Sequence, residues 1–471
     1  VDTDEDNQIN DVHPAWTKKP SELKDEDYIA FYHQLYPQTF EEPLFWIHLN
    51  VDYPFNLTGI LYFPKVKNQM ELQRNKIQLY ANQVFVTEDV EGIVPEYLTL
   101  LHGVIDSPDI PLNVSRSYLQ SDAQVKKISN HISKKVADRL DELFRNERSL
   151  FEEKWESLKV FVQYGMLSDE KFYDRAVKFD LVTDIDGKHF TLDEYRTLTE
   201  GEQTDKEGQL VWLYTTDRNS QYTAIERAKA KGYSVLLLDG PLDVHAVSQL
   251  EQKLEKTRFV RVDSDSIDKL IAKDEQRAVS LSDVEQKALK ALFEGRLPRE
   301  EKRNYSVSLE ALGADADAVL ITQGEFMRRM QEMARLQPGM NFYGELPEGY
   351  NVVLNTEHPL IQRLLASEKE VFEPKLSTLR AELQEQSELV EAARTVQSAK
   401  KPEEVSVAER EELDALTSKQ AELEGKISEE IKKFGAEELL VGQLVDLALL
   451  GNGLLSGEAL AAFIRRSQQL L

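Results

Sequence analysis

Cysteine is absent from the chain, so disulfides and thiolate-bound metals are excluded at the outset. Histidine is sparse: eight residues stand singly, with no HExxH and no paired spacing suited to a metal, and no metal site is expected. No apolar run reaches the ~18 residues that a bilayer-spanning helix needs, so a membrane is not an expected partner. Positive charge is outnumbered, with 57 Lys and Arg against 84 Asp and Glu and a net charge of -27. Phosphate-backbone binding needs clustered cations, which argues against nucleic acid and against anionic lipid surfaces alike. The pairs Lys126-Lys127 and Lys134-Lys135 read as solvated helix faces. The opening VDTDEDNQIND has neither an initiator Met nor an apolar leader. It reads as an acidic linker remnant, and a cytoplasmic setting is expected.

What is present suits a globular protein. The 471 residues are 41% hydrophobic and 8% aromatic, enough for sizeable cores, and the length suggests roughly three domains at ~100–200 residues each. LFWIHLNVDY, LTGILYFP and IQLYANQVFV are rich in aromatic and β-branched residues and predict strands. PEYLTLLHGVI has helical spacing through Tyr97, Leu100, Leu101 and Val104. Residues 117–165 predict long helices. Near residue 210 the pattern becomes strand LVWLYTT, helix RNSQYTAIERAKAKG ended by Gly232, and strand YSVLLLDGPLD, a βαβ unit. No GxGxxG or Walker pattern follows either strand, so plain α/β packing is the simpler reading than nucleotide binding. Further strands are expected at NYSVSLEAL and AVLITQ.

Two charged helical stretches, one carrying Leu376, Leu379, Leu383 and Val390 and the other Leu413, Leu416, Leu423, Ile427 and Phe434, predict an antiparallel hairpin over 368–434. It reads either as an arm for a partner or as an insertion packed on itself. The terminal stretch AEELLVGQLVDLALL is apolar nearly all round, and GEALAAFIRRSQQLL is amphipathic. A second copy of the chain is the simplest cover for Leu440, Leu444, Leu447, Leu460, Phe463 and Ile464; an intramolecular core is the other reading.

One cation is out of place. In DSPDIPLNVSRSYLQ, Arg116 falls in the first turn of a predicted helix, where the helix dipole disfavours it. Its partner is either a local carboxylate, Asp106 or Asp109, or an anion from elsewhere.

HPAWTKKPSELKDEDYIAFYHQL, LYFP, the run from Ile77 to Gln120 and the closing AAFIRRSQQLL resemble the bacterial branch of the heat-shock-protein-90 chaperone family. The resemblance covers that family's middle and C-terminal domains and no part of its N-terminal ATP-binding domain. It implies an α/β (α+β) fold: α/β sandwich subdomains joined by helices, then a mixed α/β C-terminal domain with dimerisation helices and the inserted hairpin. On this basis 1–14 is a linker remnant, 15–205 the large middle subdomain with following helices, 206–272 the small one, and 273–471 the dimerisation domain. The implied activity is that of a homodimeric chaperone fragment binding unfolded or partly folded clients, not itself an enzyme and without a cofactor of its own. In the full-length parent, ATP and Mg would bind in the N-terminal domain. There Arg116 and Gln120, from the pattern N-[LV]-S-R-x-x-L-Q, would meet the nucleotide-binding domain and support hydrolysis.

The resemblance also places client contacts at Trp16 and on GEFMRRMQEMARLQ, with Phe326, Met327, Met330 and Met333; for both, burial in a core is the competing reading. Asn82 and Gln83 stand where many relatives carry an Arg, and the hairpin has no counterpart in most of them. The chain ends without an MEEVD tail, so cochaperones that grip that tail are not expected. The alternative to a chaperone is a coiled-coil scaffold acting through the hairpin.

Overall fold

The structure, a computed structural model, describes residues 13–65, 76–88, 90, 93–110, 123–273, 277–324, 328–329, 348–400 and 405–470. The chain forms two compact units, one from 1–198 with 238–255 and the other from 199–237 with 256–471.

The first unit is built on five strands, β1 (Phe45–Val51), β2 (Leu57–Phe63), β3 (Lys76–Ala81), β4 (Val84–Thr87) and β5 (His102–Asp106), in the order β1-β2-β5-β3-β4. Neighbours are antiparallel except β3 and β5. β1 alternates between buried and more open positions, as a strand near an edge should, while β2 and β5 are buried on both faces. Helix α1 (Asp25–Leu35) covers one face, setting Tyr28, Phe31 and Tyr32 against Ile60, Tyr62 and Val104. On the other face Phe63 meets Phe161 of α3 (Arg148–Ser168), which follows α2 (Ala123–Asn146). Helix α4 (Glu170–Ala176), the hairpin β6 (Leu181–Thr183) and β7 (His189–Thr191), and the first turns of α5 (Leu192–Gln203) complete this part.

PEYLTLLHGVI is not a helix. It forms a 3-10 turn at Glu96–Leu100 and then β5. Tyr97, Leu98, Leu100, Leu101, Val104 and Ile105 are all buried, so the helical spacing reflected burial on every side and not one apolar face. Gly103, at φ 134°, fixes the extended path: a Cβ there would lie 2.0 Å from the Ile60 carbonyl oxygen.

In the second unit β8 (Leu210–Thr215), α6 (Tyr222–Ala230), β9 (Val235–Leu237) and β10 (Thr257–Arg261) make a parallel sheet in the order β10-β8-β9. Gly232 at φ 78° turns the chain after α6. Only three residues of YSVLLLDGPLD pair as strand; the rest leads to α7 (Asp243–Lys253), which belongs to the first unit. After a short α8 (Ile267–Leu270) and α9 (Asp283–Glu294), a second sheet follows, β11 (Arg303–Glu310), β12 (Val319–Thr322) and β13 (Glu348–Asn355), ordered β11-β13-β12. β13 had no counterpart in the sequence reading.

The chain then runs through α10 (Pro359–Ser398), α11 (Val407–Glu437), α12 (Leu439–Gly451) and α13 (Gly457–Leu470). Ser282 with Glu285 and Ser406 with Glu409 form capping boxes that start α9 and α11. α10 and α11 pair as the predicted hairpin, but α10 begins nine residues before 368, and its Ile361, Leu364 and Leu365 join the core of the unit. Gly435 lets α11 cross α9 closely, since a Cβ there would lie 1.9 Å from the Leu292 carbonyl oxygen. Within the hairpin Leu376, Val390, Leu423 and Ile431 are buried, and the Gln386 amide donates to the Leu416 carbonyl at 2.9 Å.

α10 carries Pro374 within it, and Arg380 donates to the buried carboxylate of Glu368 at 2.9 Å. In a straight helix those residues would stand about 18 Å apart along the axis, beyond what two side chains can bridge. α10 therefore bends at the proline, and the ion pair closes the inside of the bend.

Candidate functional site

The terminal helices present the clearest unpartnered apolar surface. α12 packs Val441, Leu444, Val445 and Leu449 inward, with Phe463 of α13 in the same core. Arg466 ties the pair together, donating to the Gly442 carbonyl at 3.1 Å and pairing with Asp446, while the Gln443 amide donates to Ser467 at 2.9 Å. The six expected contact residues therefore divide. Leu444 and Phe463 are 7% and 8% exposed and pack inside the protomer. Leu440 and Leu460 are half-buried. Leu447 and Ile464 are 49% and 48% exposed, and Leu439 and Leu450 join them at 56% and 41%. Leu439 and Leu450 were missed because an all-apolar helix gives no clue to which side faces inward.

Trp16 is placed as a packing residue. It is 7% exposed in the 3-10 turn Ala15–Thr17, with Phe31 and Tyr80 rings at 5.6 and 5.0 Å. Its indole donates to Asp106 Oδ2 at 3.2 Å. Trp16 thus packs in the core cluster beneath α1.

Arg116 and Gln120 lie outside the described residues; the described chain before them ends at Ile110. Asp106 also accepts from the Gln83 backbone N–H at 2.9 Å, within the Asn82–Gln83 turn where both residues have positive φ. Asp109 accepts from the Asn56 N–H at 2.7 Å, and Ser107 donates to the Asn56 carbonyl at 2.6 Å. Both carboxylates offered as local partners for Arg116 are thus engaged in holding the loop base.

Phe326, Met327, Met330 and Met333 also lie outside the described residues. Their neighbours Arg328 and Arg329 turn inward: the Arg328 guanidinium donates to the Tyr214 hydroxyl, and Arg329 donates to the Phe259 carbonyl at 2.7 Å.

The first unit also contains a buried acid pair that the sequence did not advertise. Asp243, 2% exposed, accepts from Lys159 Nζ at 2.8 Å, Gln163 Nε2 at 2.7 Å and the Gly240 N–H at 2.6 Å. Asp180 is 5% exposed, and burial lifts its carboxyl to about 7; the Lys159 charge opposes the lift and the Asp243 charge adds to it. Only spatial proximity joins α3, α7 and the turn after α4 here, so no spacing could have revealed it. Among the described residues no cluster of His, Asp or Glu is arranged to hold a metal, and no helix is long and apolar enough to cross a membrane.

Comparison with known proteins bears on the whole chain. The family model described as Hsp90 protein matches residues 1–434. The chaperone protein HtpG of Porphyromonas gingivalis is 66% identical over 470 residues, spanning 100% of this chain and 69% of its own length. That of Bacteroides fragilis is 55% identical over 471 residues with the same shares, 100% and 69%. That of Halalkalibacterium halodurans is 30% identical over 358 residues, 72% of this chain and 53% of its own. A solved middle domain of a Plasmodium falciparum heat shock protein aligns with 53% of this chain and 99% of its own at 20% identity and a TM-score of 0.42, a likeness on which nothing further rests. The chain belongs to the Hsp90 family of chaperones.

Proposed function

We propose that the chain is the client-binding and dimerising part of an Hsp90-type chaperone working in the cytoplasm, its partners a second copy of itself and unfolded or partly folded proteins. Nucleic acid and membranes stay outside this reading. The observation that carries it is the exposed apolar face of Leu439, Leu447, Leu450 and Ile464 on α12 and α13. Four half-open aliphatic side chains on two helices fixed by the Arg466–Asp446 pair make a rigid patch, and rigid apolar patches are what permanent homodimers cover. Client contacts are assigned to Phe326, Met327, Met330 and Met333, whose flexible side chains suit varied apolar partners. Domain boundaries at 205/206 and 272/273 belong to the same reading.

In a longer protein carrying the family's ATP-binding domain, Arg116 and Gln120 are assigned to the nucleotide side: a guanidinium there would neutralise charge at a phosphate. ATP with Mg would supply that phosphate chemistry; this chain's own part is to provide the cation from the segment after β5. The chain by itself is read as not being an enzyme.

Sedimentation of the wild type against Leu447→Glu/Ile464→Glu tests the dimer. The wild type is expected at twice the chain mass at low micromolar concentration and the variant at the chain mass with unchanged helix content. A wild type that stays at the chain mass at every concentration sinks the reading. The scaffold alternative predicts instead that deleting the hairpin abolishes every interaction while the dimer face is irrelevant.

A further inference from the structure

The first unit holds a cleft of about 500 Å³ between α2 and α4 that the chaperone reading does not use. Four cations line it: Lys134 from α2, Lys171 and Arg175 from α4, and Lys178 just beyond. In a chain with a net charge of -27, local neutralisation is the easy outcome, yet it does not happen here. Arg175 pairs with Asp138 at 3.1 Å, whereas among the described residues Lys134, Lys171 and Lys178 make no ion pair.

Two carboxylates line the cleft against its four cations. Asp169 is committed to capping α4, accepting from the Lys171 and Phe172 N–H groups at 2.9 and 3.3 Å and from Ser133 Oγ at 3.1 Å. Asp174 is the other lining acid. The Tyr97 hydroxyl lies 2.8 Å from Ser133 Oγ, so the floor of the cleft is a fixed polar chain. The local field is positive on other grounds too: burial, then Lys135 and Lys134, hold the His131 imidazole below its ordinary pKa, with Asp138 opposing.

We propose that the α2–α4 cleft binds a compact polyphosphate anion, a small molecule presenting several adjacent phosphates, through Lys134, Lys171 and Lys178. Its lining contains no aromatic or aliphatic residue, so nothing there would select an apolar body or stack a base. Lysine ammonium groups suit phosphate as point charges, and Asn130 and Ser133 add neutral hydrogen-bonding groups. Three ammonium groups without an ion pair among the described residues line the one cleft. An extended acidic peptide spreads its charges over about 3.3 Å per residue and fits less well. The sequence shows Lys134-Lys135 as an ordinary solvated pair because the other half of the site comes from a different helix.

Titration calorimetry of the whole chain with sodium tripolyphosphate, at low and at physiological salt, tests this. Saturable binding that weakens steeply with salt is expected. Lys134→Ala/Lys178→Ala should weaken it by roughly tenfold, two exposed charge contacts' worth, with Tm and circular dichroism unchanged because both side chains are exposed. Lys375→Ala/Lys419→Ala, on the hairpin, should change nothing. Absence of binding, or equal weakening by both pairs, overturns the site. Orthophosphate binding as tightly as tripolyphosphate overturns the multi-phosphate ligand, and a short polyglutamate peptide binding more tightly than tripolyphosphate makes it a peptide site instead.

Discussion

Asp180 shows how one buried acid sets a pH dependence. An exposed aspartate in the unfolded chain titrates near its ordinary value of about 3.9, whereas in the folded chain Asp180 titrates at about 7. Between these values the folded state holds the proton more tightly, so its contribution to stability is full below the unfolded value and is lost as pH rises through 7. Asp180→Asn keeps the shape and removes the titration. Thermal unfolding from pH 4 to 8 should therefore show the variant gaining on the wild type as pH rises, with the gain accruing up to about pH 7 and levelling off above it. A constant difference across the range would mean that Asp180 does not titrate there. Lys159, Gln163 and the Gly240 N–H all donate to the neighbouring buried carboxylate of Asp243.

At the scale of elements, α10 is the informative case. Its bend is held by Arg380 and Glu368, and Glu368 is 2% exposed. Removing the acid strands a partly buried guanidinium, so Glu368→Ala is expected to cost about 2–3 kcal/mol in denaturant unfolding, with the Glu368→Ala/Arg380→Ala double variant recovering part of it. Additive losses would mean that the two side chains do not act as a pair. The hairpin itself was legible in the sequence because its leucines repeat at helical spacing and its surface is charged. Its bend was not, since Pro374 marks a place where a helix can kink, while the Glu368–Arg380 contact that fixes the direction is twelve residues long. The same division runs through the sheets. β1 alternates and could be read, whereas β5 is buried on both faces, and a run buried all round has no period with which to tell strand from helix.

For the whole molecule, the family was readable from the run Ile77–Gln120, and the two units were not. The chain leaves the second unit after β9, places α7 in the first, and returns for β10. Composition does not shift at either crossing. The terminal helices showed only that they needed cover, and their packing decides which leucines remain open. At this scale the proposed role of Arg116 is checked in a longer protein joining this chain to the family's ATP-binding domain. There Arg116→Ala should lower ATP turnover by at least roughly tenfold while leaving nucleotide affinity nearly unchanged. Unchanged turnover would return Arg116 to a role in its own loop.

The bend at Pro374 also sets a mechanical ratio. From the proline to Ser398 the helix runs 24 residues, a lever of about 36 Å. A rotation of about 10° at the fulcrum carries the far end through roughly 6 Å, a full helical turn. The Glu368–Arg380 strut, a few ångströms from the pivot, would change length by under roughly an ångström in the same motion. Small adjustments beside the core are thereby geared up into large displacements at the hairpin's end.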